Sequence, residues 1–144
     1  MRKSVYFSIL SLFLLSACVS LSPQERNSLK SLKAEGITPQ RPIGIWERPA
    51  NPAPAGLLNL LPGIGNFYLA SGNAAEGSQW LYGSLNLLTW PLSIIWGVPE
   101  GIIDAQTIND KNFVEYYVFD KSGKESLRKE GLVLETDGTL RKID

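Results

Sequence analysis

Histidine is absent from this 144-residue chain, and that absence closes several chemistries. The usual general base near neutral pH and the commonest metal ligand are both missing. A Ser-His-Asp or Cys-His mechanism is impossible, and so is a zinc site of Cys/His type. Cysteine occurs once, at Cys18, so no internal disulfide can form. Neither charge is in excess: 14 Lys and Arg balance 14 Asp and Glu. That balance gives no electrostatic case for binding nucleic acid. Charge is also missing locally, since Glu76 is the single charged side chain between residues 49 and 99. No metal or other cofactor is expected from this composition.

The N-terminus carries the most specific pattern. Met1-Arg2-Lys3 is basic, and Val5 to Leu15 is apolar apart from Ser8 and Ser11. Small residues follow, which completes a secretory signal. The apolar run is shorter than the roughly 20 residues a spanning helix needs. Leu15-Ser16-Ala17-Cys18 resembles the lipobox of bacterial lipoproteins. The resemblance covers residues 1–18. It implies that the Cys18 thiol takes a diacylglyceryl group, that a peptidase cuts before Cys18, and that the new amino group is acylated. Two or three acyl chains give stable anchoring, at about 0.8 kcal/mol per buried methylene. Residues 1–17 are therefore expected to be a signal peptide. Val19 follows Cys18, where an Asp would be the inner-membrane retention signal of proteobacterial lipoproteins. The expected location is the cell envelope, lipid-anchored through Cys18, in the outer membrane facing the periplasm rather than the inner membrane.

Residues 18–36 read as a lipidated N-terminus and a short helix. Ser22-Pro23-Gln24-Glu25 has the form of a capping box with Pro at the first helical position. Leu29 and Leu32 share a face, and Gly36 is a stop. Residues 37–55 hold Pro39, Pro42, Pro49, Pro52 and Pro54 and read as an extended linker. Ile43, Ile45 and Trp46 are candidates to pin it to a surface.

Residues 56–108 read as an apolar helical hairpin. Its first half is interrupted by Pro62, Gly63 and Gly65, and a soft loop runs from Ser71 to Gly77. The second half, Ser78 to Val98, is long enough to span a bilayer with a kink at Pro91. Trp80 and Trp96 lie near its ends, where aromatic belts sit. Its polar residues Gln79, Ser84, Asn86, Thr89 and Ser93 are neutral and tolerable between helices. Gly63-Ile64-Gly65-Asn66-Phe67-Tyr68, a later glycine, and a Trp-containing helix ending Gly101-Ile102-Ile103-Asp104-Ala105 resemble the small two-transmembrane-helix domains. The resemblance covers about residues 55–110. It departs at Ala70, where a Gly is usual, and at Pro62 and Pro91. It implies a membrane-associated hairpin and no catalytic residue. Two placements stay open: a pair of helices across the bilayer, or a segment lying in the interface or forming a packed core.

From Asn109 the composition becomes that of a soluble protein, and residues 109–144 read as a small α+β tail. Phe113 to Phe119 is rich in β-formers and reads as a strand. Asp120-Lys121-Ser122-Gly123 reads as a turn rather than a calcium loop, because the later ligands are missing. Lys124 to Glu130 reads as a short helix. Leu132–Glu135 and Thr139–Ile143 read as a hairpin about a Gly-containing turn.

The sequence therefore predicts a mainly α fold: an apolar helical hairpin with a short N-terminal helix and a small C-terminal α/β tail. It predicts a non-catalytic, structural or accessory envelope lipoprotein whose partners are membrane lipid and an envelope protein. The alternative is a lipid- or small-ligand-binding module with Trp80, Tyr82, Trp90 and Trp96 lining an apolar groove. An enzyme would have Glu76, Glu100 and Asp104 as its candidate acids, but nothing in their spacing singles them out.

Overall fold

The computed structural model describes residues 19–143. The signal segment and Cys18 lie outside the described residues. Among those described, the chain forms six helices and one two-stranded antiparallel sheet, so the fold is mainly α. The helices are α1 (Pro23–Ala34), α2 (Pro52–Leu58), α3 (Ile64–Ser71), α4 (Ser78–Leu88), α5 (Ile94–Val118) and α6 (Lys121–Lys129). The strands are β1 (Leu132–Leu134) and β2 (Leu140–Lys142).

Helix α5, 25 residues long, is the spine. Its C-terminal half carries the aromatic core. Phe113, Val114 and Tyr117 pack with Leu29 and Leu32 of α1, Ile37, Trp46, Leu127 of α6 and Leu132 of β1. Phe113 meets Trp46 and Tyr117 edge to face, each at 5.0 Å between ring centroids. The expected strand over Phe113–Phe119 is therefore wrong: Phe113 to Val118 are the last turns of α5, and Phe119 is its C-cap. The buried positions Ile108, Asn109, Phe113, Val114 and Tyr117 recur every three or four residues, the helical period. That period reaches back to Gly97 and overrides a β-propensity that is largely a measure of side-chain packing.

Helix α1 begins with a formed capping box, in which the Ser22 hydroxyl accepts from the Glu25 N–H and the Glu25 carboxylate accepts from the Ser22 N–H. Asp120 is an N-cap rather than part of a free turn. Its carboxylate accepts the Ser122 and Gly123 N–H groups, so α6 starts at Lys121, earlier than expected. Strands β1 and β2 pair Leu132 with Lys142 and Leu134 with Leu140.

The proline-rich stretch before α2 is irregular rather than extended, with a tight turn bridged between Thr38 and Arg41, and it is not a free linker. Side chains one face apart on α5 hold its backbone. Tyr117 Oη donates to Ile43 O and accepts from Ile43 N, both at 2.8 Å. The Asn112 side chain accepts from Trp46 Nε1 at 2.9 Å. Asn109 exchanges two hydrogen bonds with the backbone of Ala50, at 2.8 and 3.0 Å. Ile45, expected to help pin the stretch, is exposed. The stretch also ends sooner than expected, because Asn51 caps α2 with Pro52 in its first turn.

Helices α2, α3, α4 and the N-terminal half of α5 pack together at the other end of the spine. The run Ser78–Val98 is broken rather than kinked: α4 stops at Leu88, a turn carries Pro91, and α5 starts at Ile94. No helix among the described residues is long and apolar enough to cross a membrane.

Candidate functional site

Beside Leu69 and Tyr82, the interior of this second end is built from small and amide side chains. Gln79 and Asn86, seven apart, share one face of α4, and Glu100 and Asp104, four apart, share one face of α5. Asn59 closes α2 and Asn66 lies in α3. All six are turned inward, and Asn59, Asn66, Gln79, Asn86 and Asp104 are buried. Glu100 is half-buried.

They form one continuous chain of hydrogen bonds. Gln79 Nε2 donates to Asp104 Oδ2 at 2.7 Å, and Gln79 Oε1 accepts from Asn66 Nδ2 at 2.7 Å. Asn66 Oδ1 accepts from Asn86 Nδ2 at 2.9 Å, and that amide also donates to Glu100 Oε2 at 3.2 Å. Asn86 Oδ1 accepts from Trp96 Nε1 at 2.9 Å. Asn59 sits beside the chain. Its Oδ1 takes the N–H groups of Gly65 and Asn66 at the start of α3, and its Nδ2 donates to Gly97 O at 2.7 Å. These are otherwise orphan donors of a helix N-terminus. Ser93 Oγ donates to Asn86 O at 2.6 Å and secures the turn into α5.

Glycines let the backbones come close enough for these short side chains to meet. A Cβ at Gly65 would overlap Ala55 O and the Asn59 amide, and a Cβ at Gly101 would lie 2.7 Å from Ala55 O. Gly63, at φ +81°, starts α3 against the Gly83 carbonyl in a conformation that other residues rarely adopt.

The two acids are perturbed by this setting. Burial pushes the Glu100 carboxyl above its ordinary range; the Asn86 hydrogen bond opposes the shift and the nearby Asp104 adds to it. Burial also raises Asp104, opposed by the Gln79 hydrogen bond and more weakly by the Val19 backbone, with Glu76 adding a smaller push upward. Asp104 Oδ1 is buried and has no hydrogen-bond partner. The third candidate acid, Glu76, is in the α3–α4 loop, 3.9 Å from Lys111 Nζ. Glu100 and Asp104 are thus brought together, but each serves an amide ladder rather than an open cleft. Among the described residues no cluster of three or more His, Cys, Asp or Glu side chains could hold a metal.

The outside of this end is the reverse of its inside. Leu57, Leu60, Leu61, Leu81, Leu87, Trp90, Leu92 and Trp96 are exposed, with Leu88 at 81% and Ile95 at 77%. The four aromatic residues proposed for a groove meet different surroundings. Trp80 is exposed and stacks on Phe67, Tyr82 is buried, Trp90 is exposed in the turn, and Trp96 is tied to Asn86. A polar cleft of about 370 Å³ elsewhere includes Lys33, Arg48, Gln106 and Asp110 in its walls. Its charges are partly committed, Lys33 to Asp110 at 3.5 Å and Arg48 Nε to Pro39 O at 3.1 Å.

The sequence signal for the amide ladder was the inward spacing of Gln79 with Asn86 and of Glu100 with Asp104. Gln79 and Asn86, read as polar residues tolerable between helices, and Glu100 and Asp104, read as candidate acids, gave no sign that Asn59 and Asn66 would join them from other elements. No protein-family model, curated protein or solved structure matches the chain.

Proposed function

We propose that this chain is a bacterial envelope lipoprotein, lipid-anchored through Cys18, with a structural or accessory rather than catalytic role. An apolar helical hairpin within residues 56–108 makes the functional contact, by inserting in membrane lipid or docking on an envelope protein partner. The observation that carries this reading is the inverted distribution at that end. Amides, glycines and carboxylates are inside beside Leu69 and Tyr82, and most of the leucines, isoleucines and tryptophans are outside. Water-soluble domains bury their large apolar side chains, whereas helices packed in lipid meet through small and hydrogen-bonding residues and turn their apolar residues outward. The exposed apolar patch is also nearly free of charge, as a lipid-facing surface requires.

The lipobox resemblance supplies the anchor, and Val19 after Cys18 favours the outer membrane, facing the periplasm. The acids support a non-enzymatic role, because Glu100 and Asp104 hold amides and Glu76 pairs with Lys111. The test of the anchor is metabolic labelling of producing cells with alkyne-palmitate. Label is expected on the wild-type protein and absent from Cys18→Ala; equal label on both, or on neither, would refute lipidation at Cys18.

A further inference from the structure

We propose that the apolar end enters a single lipid leaflet and stops there, with Asp104 and the packing of Val19 beside Ala105 marking the level at which the polypeptide meets the headgroups. The proposal rests on the reading of the exposed apolar face as lipid-facing, and adds to it a depth and a side.

The depth follows from α5. Between Ile94 and Asp104 its exposed large side chains are Ile95, Trp96 and Ile103. The one charged residue before Asp104, Glu100, is directed at Asn86. Ten residues of helix rise about 15 Å, half of a hydrocarbon core of about 30 Å. Beyond Asp104 the surface changes character. Asp110 pairs with Lys33, and Lys111 pairs with Glu76 of the α3–α4 loop. The Gln79–Asp104 bond places the first turn of α4 at this same level. Trp80, exposed there, has the position of an interfacial aromatic. The other ends of α4 and α5 meet at the turn of Trp90 and Leu92, which is the apolar extremity.

The side follows from Val19. Its side chain packs on the cluster of Ala50, Ala55, Leu69, Ala105 and Ile108, of which Ala105 is next to Asp104 on α5. Cys18 precedes Val19 in the chain, so on the lipoprotein reading its acyl chains enter the leaflet that the polypeptide meets at the level of Val19, the leaflet that receives the Trp90 turn. With no described helix able to cross, anchor and apolar end share one monolayer.

The test uses the full lipidated protein in vesicles of phosphatidylethanolamine and phosphatidylglycerol carrying acyl chains brominated near the headgroup or near the methyl end. Variants keep Trp46, buried in the aromatic core, and one of Trp80, Trp90 or Trp96, with Phe at the others. Trp90 should lose most emission to the deep bromines, Trp80 to the shallow ones, and Trp46 to neither. In an otherwise unchanged chain, Leu88→Cys should stay unlabelled by an impermeant maleimide trapped inside the vesicles. Labelling from the inside would show a crossing and overturn the single-leaflet inference while keeping the lipid-facing reading. No quenching of any tryptophan would overturn both. Disulfide dimers of Leu88→Cys without quenching would assign the face to a second copy of the chain, and would also overturn both.

Discussion

Gln79 Nε2 donates to Asp104 Oδ2 at 2.7 Å, and this bond joins the first turn of α4 to the middle of α5 across the interior of an end whose exterior is leucine and tryptophan. The bond compensates only half of the carboxylate. Oδ1 has no partner, and Asp104 is 1% exposed. A buried ionised carboxylate left half-satisfied is costly, which is why burial raises its pKa.

Stability is predicted to fall as pH rises out of the acid range because of Asp104 and Glu100. Their folded pKa values are raised above the ordinary 3.8 and 4.5. Below those values both carboxyls are protonated in folded and unfolded chains alike. Above them the unfolded chain releases its protons first, so the folded state is progressively disfavoured until its own pKa values are passed. Asp104→Asn and Glu100→Gln remove this slope. Asp120 and Asp137 are lowered by hydrogen bonds, at the α6 N-cap and to Thr139 in the β1–β2 turn, and slope the other way, but they cancel between wild type and variant. Urea midpoints across the acid range should show the variants gaining on wild type as pH rises. A difference independent of pH would contradict the assignment.

Asn86 should be the costliest amide to lose. It bonds Asn66, Glu100 and Trp96, so Asn86→Leu orphans three groups. Each orphaned group costs about 1–3 kcal/mol when it stays buried. The melting temperature of the detergent-solubilised protein should drop well below that of Thr89→Val, whose hydroxyl bonds only to backbone within its own helix. Equal melting temperatures would mean that the ladder carries no stability.

Close approach of α2 and α3 predicts a glycine asymmetry. Gly65→Ala forces a methyl onto the Ala55 carbonyl and the Asn59 amide, and overpacking of this kind costs about 1–3 kcal/mol. Gly77→Ala meets nothing within 4 Å and should be neutral. Chemical denaturation of the two variants side by side measures the difference.

The proline-rich stretch should detach from α5 when its ties are cut. Tyr117→Phe removes two 2.8 Å bonds to the Ile43 backbone while keeping the ring packing. Amide exchange at Ile43 and Ile45 should accelerate relative to the cap of α1, and unchanged exchange would show that packing alone holds the stretch.

Much of the mainly α fold was legible where local chemistry decides. The Ser22–Glu25 capping box and the pairing of 132–134 with 140–142 follow from neighbours in sequence. What misled was tertiary. Phe113, Tyr116 and Tyr117 are good β-formers, yet the period set by Gly97, Gly101, Asp104 and Ile108 carries α5 through them. The ladder was half legible, because Gln79 and Asn86 are spaced to share a face, whereas Asn59 and Asn66 join only when α2 and α3 close on Gly63 and Gly65. The resemblance to a lipobox is carried by residues 1–18, outside the described residues, so it stands on sequence.

The most direct test of the central claim is membrane partition of Cys18→Ala exported through an ordinary cleaved signal. The account predicts that it still sediments with envelope membranes and resists high-salt and carbonate washes, because the apolar end holds it without the lipid. Recovery as a free periplasmic protein would contradict the account, leaving the acyl chains as sole anchor and the exposed leucines without a membrane role.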